Sequence, residues 1–385
     1  MCPSTAASCV RYSSMRPGAT SKRASLATWA TCAVVRAAVL EWGLSGMADE
    51  CTKPRYLGAS MAKSELAIGI DLGGTNMSVG VVDRRGRVVG RAKKKTKAQE
   101  GRDVVIDRLV MTMEAACEAG NVKLADIRTV GIGAPGPVDS ERGVVITAGN
   151  LGWKNVPLGE ILRKRLGIPV TVDNDANVAA WGEATVGAGE GCESLLAVWV
   201  GTGVGAGIVM GGKIWRGDLF TAGEFGHVIM YSNGQPGSRK VEEFCSRTGI
   251  VRSLRTLAGL NPESLFHKIL ARHEADGKAG PLGSSGIAEC YNANDPLVRE
   301  VVDSSAELLG IGIANWITMA SMRTVILGGG ITEALGKPYA DRVEDSIRRH
   351  VFPSAIAPKV SVRVTKLKDD AGVLGAAMLA WDALG

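Results

Sequence analysis

The sequence predicts an α/β fold built from two similar halves with a ligand cleft between them. The first observation is the run Ile68–Asn76 (IGIDLGGTN), an apolar strand that ends in an acid and two glycines before the apolar strand Val79–Val82. The second is Leu195–Met210, where an apolar strand, a glycine turn at Gly201–Gly203 and a returning strand repeat this design. Two such turns in one chain indicate an internally duplicated fold that holds one ligand between its halves.

Composition sets the size of the fold and argues against one class of partner. With 385 residues, 45% of them hydrophobic, the chain is long enough for two cores, and its 50 glycines indicate many tight turns. The formal net charge of +6 does not indicate a nucleic-acid partner, because residues 1–63 hold eight Lys/Arg against three Asp/Glu and supply +5 of it. The eight cysteines form no C-x-x-C pair, which favours reduced thiols in a cytoplasmic protein.

Residues 1–63 are expected to lie outside the fold, either as a disordered extension or because the start of the chain is misassigned. Their first 40 residues contain no acid, and Ser, Thr, Ala and scattered Arg give a composition like that of a transit peptide. The stretch Ala24–Val35 resembles the apolar part of a signal peptide, but charged residues interrupt it well short of a membrane span. A third interpretation is that the biological start is Met47 or Met61.

The glycine turn of the first hairpin is suited to phosphate. Gly73 and Gly74 allow a backbone with φ > 0 that approaches a ligand closely, and the turn N–H groups and the Thr75 hydroxyl are donors for phosphate oxygens. Asp71, at the strand end, is placed to hold Mg²⁺ directly or through water. The alternative from these residues alone is an ordinary hairpin turn beside a chance acid.

A second polar segment, Asp173–Asn177 (DNDAN), follows the strand predicted at Ile168–Val172 and precedes an Ala-rich helix that runs to about Gly187. Ligands of α/β sheets bind at the ends of strands, so Asp175 is a candidate for chemistry. The alternative is a helix N-cap, a position that Asp and Asn favour. Three such side chains in a row exceed what one cap needs.

Later segments add polar and glycine-rich patterns. Ala222–Val228 (AGEFGHV) holds a Glu and a His three residues apart between glycines, so both side chains can face a polar ligand. Val241 and Glu242 open a helix, and a strand at Thr324–Leu327 ends in three glycines, where backbone can lie against a flat nucleobase. A final helix begins near Asp370.

Two well-known nucleotide-binding patterns are absent from the second glycine turn. Gly201 and Gly203 are followed by Ala206, which fails the dinucleotide pattern. Gly207–Lys213 has the glycines and lysine of a P-loop, but Ile214 replaces the required Ser or Thr and no helix is predicted to follow.

Several segments, taken in order, resemble the ROK family of sugar kinases and repressors, within the actin-like ATPase superfold. They are the two hairpins, the proline–glycine turn Ala134–Pro137, the NDAN segment, the GEFGH segment and the triple glycine. The resemblance runs from about Ala67 to the C-terminus. It implies duplicated, ribonuclease H-like α/β domains with a ligand cleft between them. The implied domains are a small one at 64–178, completed by the C-terminal helix 371–385, and a large one at 179–370.

The resemblance also implies roles for the residues that match the family's positions. Asp175 matches the catalytic base. The residues that match sugar-binding positions are Asn150, Asn174, Glu224, His227 and Glu242. The implied ATP site consists of Asp71, Gly73, Gly74, Thr75, Asn76, Thr202, Gly203, Gly328, Gly329 and Gly330, with Asp71 on Mg²⁺ directly or through water.

One departure from the family's pattern concerns a metal. The family's usual zinc segment has the form C-x-C-G-x-x-G-C-x-E, whereas residues 233–242 read NGQPGSRKVE, so all three cysteine positions are lost. Cys245 follows Glu242 and does not replace them. Structural zinc of this kind needs four N or S ligands. We therefore expect no structural zinc, and His227 is free of any ligand role.

The resemblance implies a cytoplasmic, ATP- and Mg²⁺-dependent hexose kinase that phosphorylates the 6-hydroxyl of glucose, a step of glycolysis, as a homodimer or homotetramer without nucleic-acid or membrane partners. N-acetylmannosamine, N-acetylglucosamine and fructose are the alternative substrates. The alternative of another class is a sugar-responsive transcriptional repressor, although residues 1–63 lack the periodicity of a winged helix. A chaperone-like or filament-forming ATPase would not need Glu224, His227 and Glu242.

Overall fold

The first predicted hairpin opens a five-stranded sheet in the computed structural model, which describes residues 65–231, 238–276 and 282–385. These residues belong to one unit that spans Met61–Gly385, and the predicted extension at 1–63 lies outside them. The strands are β1 (Leu66–Leu72), β2 (Asn76–Asp83), β3 (Val88–Lys95), β4 (Ile127–Ala134), β5 (Val138–Asp139), β6 (Val144–Ala148), β7 (Trp153–Val156), β8 (Val170–Asn174), β9 (Leu195–Val200), β10 (Val204–Met210), β11 (Lys213–Ile214), β12 (Thr324–Gly328) and β13 (Ser361–Val364).

Helices connect and cover these strands. They are α1 (Arg102–Ala119), α2 (Leu158–Leu166), α3 (Asp175–Val186), α4 (Val241–Cys245), α5 (Arg247–Ala258), α6 (Leu265–Ala275), α7 (Ser284–Asn292), α8 (Pro296–Ala320), α9 (Gly329–Leu335), α10 (Lys337–His350) and α11 (Ala371–Asp382). Local signals set several of their ends: Asp295 accepts a hydrogen bond from Val298 N at the start of α8, and Gly167 in the left-handed region ends α2. Within the described part of the chain, no helix combines the length and apolar content that a bilayer crossing requires.

The two five-stranded sheets have the same topology, which confirms the predicted duplication. Their strand orders are β3-β2-β1-β4-β8 and β11-β10-β9-β12-β13. In each sheet the glycine hairpin supplies an antiparallel pair, and the next two strands run parallel to the first strand of that hairpin. A small antiparallel sheet, β5-β6-β7, is inserted in the first half. The ends of β1 and β9 and the segments that follow the parallel strands β8 and β12 therefore reach one cleft from both halves.

Two helices are exchanged between the halves. α11 follows the last strand of the second sheet, yet it packs on β1 and β4 of the first, whereas α3 follows β8 and also packs on β10 of the second. α3 and α11 pack against each other so closely that a Cβ added at Gly375 of α11 would overlap the carbonyl oxygen of Val178. That 371–385 completes the first domain remains a prediction. The domain bounds 64–178 and 179–370 remain a prediction.

One strand is shifted relative to its prediction. β8 covers Val170–Asn174 rather than Ile168–Val172. Pro169 has no N–H to donate to a sheet and contributes only its carbonyl, which accepts from Val130 N at 3.0 Å. The strand therefore starts after the proline and carries its pairing as far as Asn174, beside Ala134 of β4.

Candidate functional site

A cleft of about 830 Å³ is lined by residues from both halves of the fold. The end of β1, the β9–β10 turn, the start of α3 and the start of α9 all contribute to its walls. The predicted site residues that line it are Asp71, Asn150, Asp175, Thr202, Gly203, Glu224, His227, Glu242, Gly329 and Gly330. Residues spread over more than 250 positions of sequence are thus brought to one cavity.

The other predicted residues are close to the cleft without being part of its wall. They are Gly73, Gly74, Thr75, Asn76, Asn174 and Gly328. In the first glycine turn Gly73 N donates to Asn76 O at 2.9 Å, and a Cβ added at Gly74 would lie 2.9 Å from Cβ of Asn150. This turn therefore rests against Asn150, a cleft residue, and its role in binding phosphate remains a prediction.

Asp175, the predicted base, is the first residue of α3 and lies on the wall of the cleft. Its Oδ1 accepts hydrogen bonds from Ala176 N at 2.8 Å and from Nδ2 of Asn174 at 3.0 Å. Burial, together with the negative charges of Asp71 and Glu224, raises the pKa of Asp175 to about 7. A carboxylate with a pKa near neutrality is suited to take up a proton during a reaction at physiological pH.

The three consecutive polar side chains at the start of the DNDAN segment, residues 173–175, have different functions. Asn174 is the N-cap of α3, because its Oδ1 accepts from Asn177 N at 3.1 Å, and its amide also donates to Gly136 O at 3.1 Å and to Asp175. Asp173 is buried and forms an ion pair with Arg216 at 2.6 Å. The N-cap alternative therefore applies to Asn174, which orients Asp175. Only Asp175 of the three lines the cleft.

Glu224, His227 and Glu242 form one polar wall of the cleft. Oε2 of Glu242 accepts from Val204 N at 2.9 Å, which ties this side chain to the β9–β10 turn. Nε2 of His227 lies 3.8 Å from the carboxylate of Glu224, and both side chains keep solvent access. Two carboxylates and an imidazole supply acceptors and one mixed donor and acceptor, a set that fits several hydroxyls of one ligand.

The β9–β10 turn is held by residues that no sequence motif marks as functional. Nη2 of Arg247 donates to Oγ1 of Thr202 at 2.7 Å, and Oγ1 of Thr248 donates to the carbonyl of Thr202 at 2.8 Å. Arg247 N also donates to Gly201 O at 2.8 Å. The start of α5 therefore fixes the conformation of the second glycine turn and brings a guanidinium next to Thr202.

Sequence motifs also missed acidic and basic residues that line the cleft. Glu333, Lys368 and Asp369 line it, and burial followed by the charge of Asp369 raises the pKa of Glu333. Lys368 and Asp369 lie in the turn just before α11, and no sequence motif assigns them a role. Their proximity to Asp71 depends on α11 reaching back to the first sheet, which no local pattern encodes.

Asp71 has the environment of a cation-binding carboxylate. Burial raises its pKa, the positive charge of Lys93 opposes this effect, and the negative charge of Asp369 adds to it. A cation beside Asp71 would stabilise the ionised form that burial disfavours. The side chain therefore fits the predicted Mg²⁺ role, with an oxygen ligand of the type that Mg²⁺ prefers.

The predicted lack of structural zinc remains a prediction. Residues 232–237, which include the first two lost cysteine positions, lie outside the described part of the chain. At the described end of the segment, Nζ of Lys240 lies 3.2 Å from Nδ1 of His227. His227 thus has a nitrogen donor rather than a thiolate as its neighbour on that side.

Comparison with known proteins identifies relatives that match 80% or more of this chain. The profile of the ROK family matches residues 67–383. The chain is 33% identical over 319 residues to the glucokinase of Streptomyces coelicolor, covering 82% of this chain and 97% of that protein. It is 32% identical over 319 residues to a putative xylose repressor of Caldicellulosiruptor, covering 80% of this chain and 76% of the repressor.

A solved structure of a ROK family member also has a similar fold. The fold is similar to that of a ROK family glucokinase from Streptomyces griseus in complex with glucose and AMPPNP, with a TM-score of 0.71 and 33% identity. The similarity covers 82% of this chain and 99% of that one.

Proposed function

This chain belongs to the ROK family, and from that premise we propose that it is a kinase that transfers the γ-phosphoryl group of ATP to the 6-hydroxyl of glucose. Its relatives support a sugar kinase that uses ATP. The observation that carries the proposal further is Asp175, a partly buried carboxylate whose pKa is raised to about 7, in the cleft that residues of both halves line.

The proposed reaction needs few covalent steps from the protein. The 6-hydroxyl oxygen attacks the γ-phosphorus, its proton passes to a carboxylate oxygen of Asp175, and the bond from the γ-phosphorus to the leaving oxygen of ADP breaks. Asp175 is supported as the acceptor because its Oδ1 is already held by two N–H donors, which fix the direction of the carboxylate. Asp71 would hold Mg²⁺, which when bound neutralises charge on the phosphates.

Ligand placement is proposed along the length of the cleft. Thr202, Gly203, Gly329 and Gly330 would surround the nucleotide at the second half, where glycine backbone is accessible. A sugar would lie against the wall formed by Asn150, Glu224, His227 and Glu242. Asp175 lines the same cavity, so a sugar hydroxyl and a terminal phosphate can meet beside it.

Glucose is proposed as the substrate, and a panel of sugars tests it. We expect kcat/KM for ADP release to be highest with glucose, compared with mannose, fructose, N-acetylglucosamine and N-acetylmannosamine at saturating MgATP. 6-Deoxyglucose should bind but give no phosphorylated product, because it lacks the attacking oxygen. If an acetamido sugar ranked above glucose, the proposed substrate would be wrong, but the proposal that the chain is a sugar kinase would still hold.

The activity is expected to fall in acid because Asp175 must be ionised to accept the proton. Its pKa is raised to about 7, so below that value the carboxylate is progressively protonated and kcat/KM should fall by about tenfold per pH unit. Mg²⁺ beside Asp71 would offset one of the negative charges that raise this pKa, so the inflection should lie at or below the value in the free chain. A rate that stays level down to about pH 5 would contradict a base with this pKa.

A sugar-responsive repressor is the second candidate, favoured by the similarity to a xylose repressor. The two candidates differ in turnover. Sugar binding by calorimetry together with no ADP release for any sugar of the panel would favour the repressor. Sustained turnover would exclude a purely regulatory role.

A further inference from the structure

We propose that Lys240 is a positioning residue of the sugar site that holds His227 in the tautomer with its proton on Nε2. The inference rests on the proposed function, because it concerns how the wall of the cleft meets a sugar. Its starting point is the contact of 3.2 Å between Nζ of Lys240 and Nδ1 of His227.

The chemistry of the two groups decides the direction of this hydrogen bond. A lysine ammonium has three donors and no acceptor, so Nδ1 of His227 must accept with its lone pair. In a neutral imidazole one ring nitrogen accepts and the other carries the proton. The contact with Lys240 therefore assigns the proton to Nε2.

The proton on Nε2 points to the side of the ring on which a sugar would bind. Nε2 lies 3.8 Å from the carboxylate of Glu224, which is longer than a direct hydrogen bond. A ligand hydroxyl at this position can accept from Nε2–H of His227 and donate to Glu224 at the same time. The opposite tautomer would present a lone pair to the carboxylate, and a hydroxyl between them could donate to only one of the two.

The backbone fixes Lys240 relative to His227. Lys240 pairs with Ile229 in an antiparallel bridge, and Val241 N donates to Val228 O at 2.9 Å. The same short stretch leads directly to Glu242, which is bound to the β9–β10 turn. The lysine therefore belongs to a hydrogen-bonded frame that connects two polar residues of the cleft wall.

Lys240 has no competing ion pair in the part of the chain that the structure describes, since none of the described carboxylates lies within ion-pair distance of its Nζ. The contact with His227 is therefore not a by-product of a salt bridge made for another purpose. Loss of the ammonium should release the ring to sample both tautomers and leave the fold intact, because both side chains are partly exposed.

The first test reads the tautomer directly, in the full chain and without turnover. Long-range ¹H–¹⁵N spectra of the imidazole rings are recorded at about pH 8, where an ordinary imidazole is neutral. The chain has four histidines, and His227→Gln assigns the signal of interest. We expect the Nε2–H pattern in the wild type, a mixture of patterns in Lys240→Met, and recovery of the Nε2–H pattern in Lys240→Arg, which keeps a cationic donor.

The second test measures the consequence for the sugar. Lys240→Met should raise both Kd and KM for glucose by about 2- to 12-fold, the value of one net hydrogen bond, with kcat changed much less. Lys240→Arg should restore most of the affinity. Lys359→Met removes an exposed positive charge of the second half and should keep the wild-type spectrum and KM.

The outcomes separate this inference from the proposed function. A wild-type His227 ring with its proton on Nδ1 would overturn the inference, as would a Lys240→Met variant with unchanged spectrum and KM. If the wild type neither bound nor turned over any sugar, the proposed function would be refuted instead. The ring spectra would still decide whether Lys240 sets the tautomer of His227.

Discussion

Asp175→Asn is expected to lower kcat by about 10²–10⁴-fold and to leave the affinities for ATP and glucose near their wild-type values. Asn is nearly isosteric, and its Oδ1 can still accept from Ala176 N and from the amide of Asn174, so the start of α3 should keep its geometry. What the variant loses is the ability to accept the proton of the attacking hydroxyl. Steady-state kinetics with glucose and calorimetry for both ligands measure the two effects.

The same variant should be more stable than the wild type in mildly alkaline solution. The pKa of Asp175 is raised to about 7 in the folded chain above its ordinary value of 3.8, so the folded state binds the proton more tightly than the unfolded state. The stability that this group contributes is fully present below about pH 3.8, the ordinary pKa of the carboxyl group. It is lost as the pH rises through about 7, the pKa in the folded chain. Removing the charge should raise Tm at about pH 8.

Asp126→Asn provides the matched control. Asp126 is an exposed aspartate of the same half of the fold, and the variant should keep both kcat and Tm. If Asp175→Asn retained most of its kcat, the proton would have to leave by another route and the proposed base would be wrong.

Gly131→Ala and Gly375→Ala are expected to destabilise the fold at or above the upper end of the range of about 1–3 kcal/mol that overpacking usually costs. A Cβ at Gly131 of β4 would overlap the carbonyl oxygen of Ala376 in α11, and a Cβ at Gly375 would overlap that of Val178 in α3. Both obstacles are backbone atoms of packed helices, so no side-chain rotation relieves the clash. Urea unfolding of the full chain, followed by circular dichroism, measures the change.

Gly259→Ala is the control for these two variants. No heavy atom lies within 4 Å of a Cβ added at Gly259, and its φ of −61° suits any residue. Its free energy of unfolding should stay within about 0.5 kcal/mol of the wild type. Wild-type stability of Gly131→Ala would mean that α11 does not approach β4 as closely as described.

Features that depend on neighbours in sequence could be predicted. The two glycine hairpins follow from apolar runs interrupted by glycine, and the Ala-rich helix predicted to run to about Gly187 is α3, which ends at Val186. Asp175 could be predicted to lie at the cleft because it follows a strand, and strand ends form the ligand-binding edge of such sheets. These signals are local, so one sequence is enough to read them.

Features that depend on distant contacts could not be predicted. The sequence allowed an N-cap within the DNDAN segment, but it could not tell which side chain forms the cap or that the amide of Asn174 also donates to Asp175. Lys368 and Asp369 line the cleft because α11 returns to the first sheet, and Lys240 meets His227 because Lys240 pairs with Ile229. Such roles are set by tertiary packing, which propensity and periodicity do not encode.

The exchange of helices between the halves has a consequence for synthesis on the ribosome. All strands of the first sheet are translated early, but α11, which covers the apolar side chains of Ala67 and Val82 with Val373, Leu374 and Trp381, is translated after the entire second half. The nascent first half therefore carries an uncovered apolar surface while some 200 further residues are added. Its final packing must wait until α11 has been made, and until then this surface is of the exposed apolar kind that makes partly folded chains prone to aggregation.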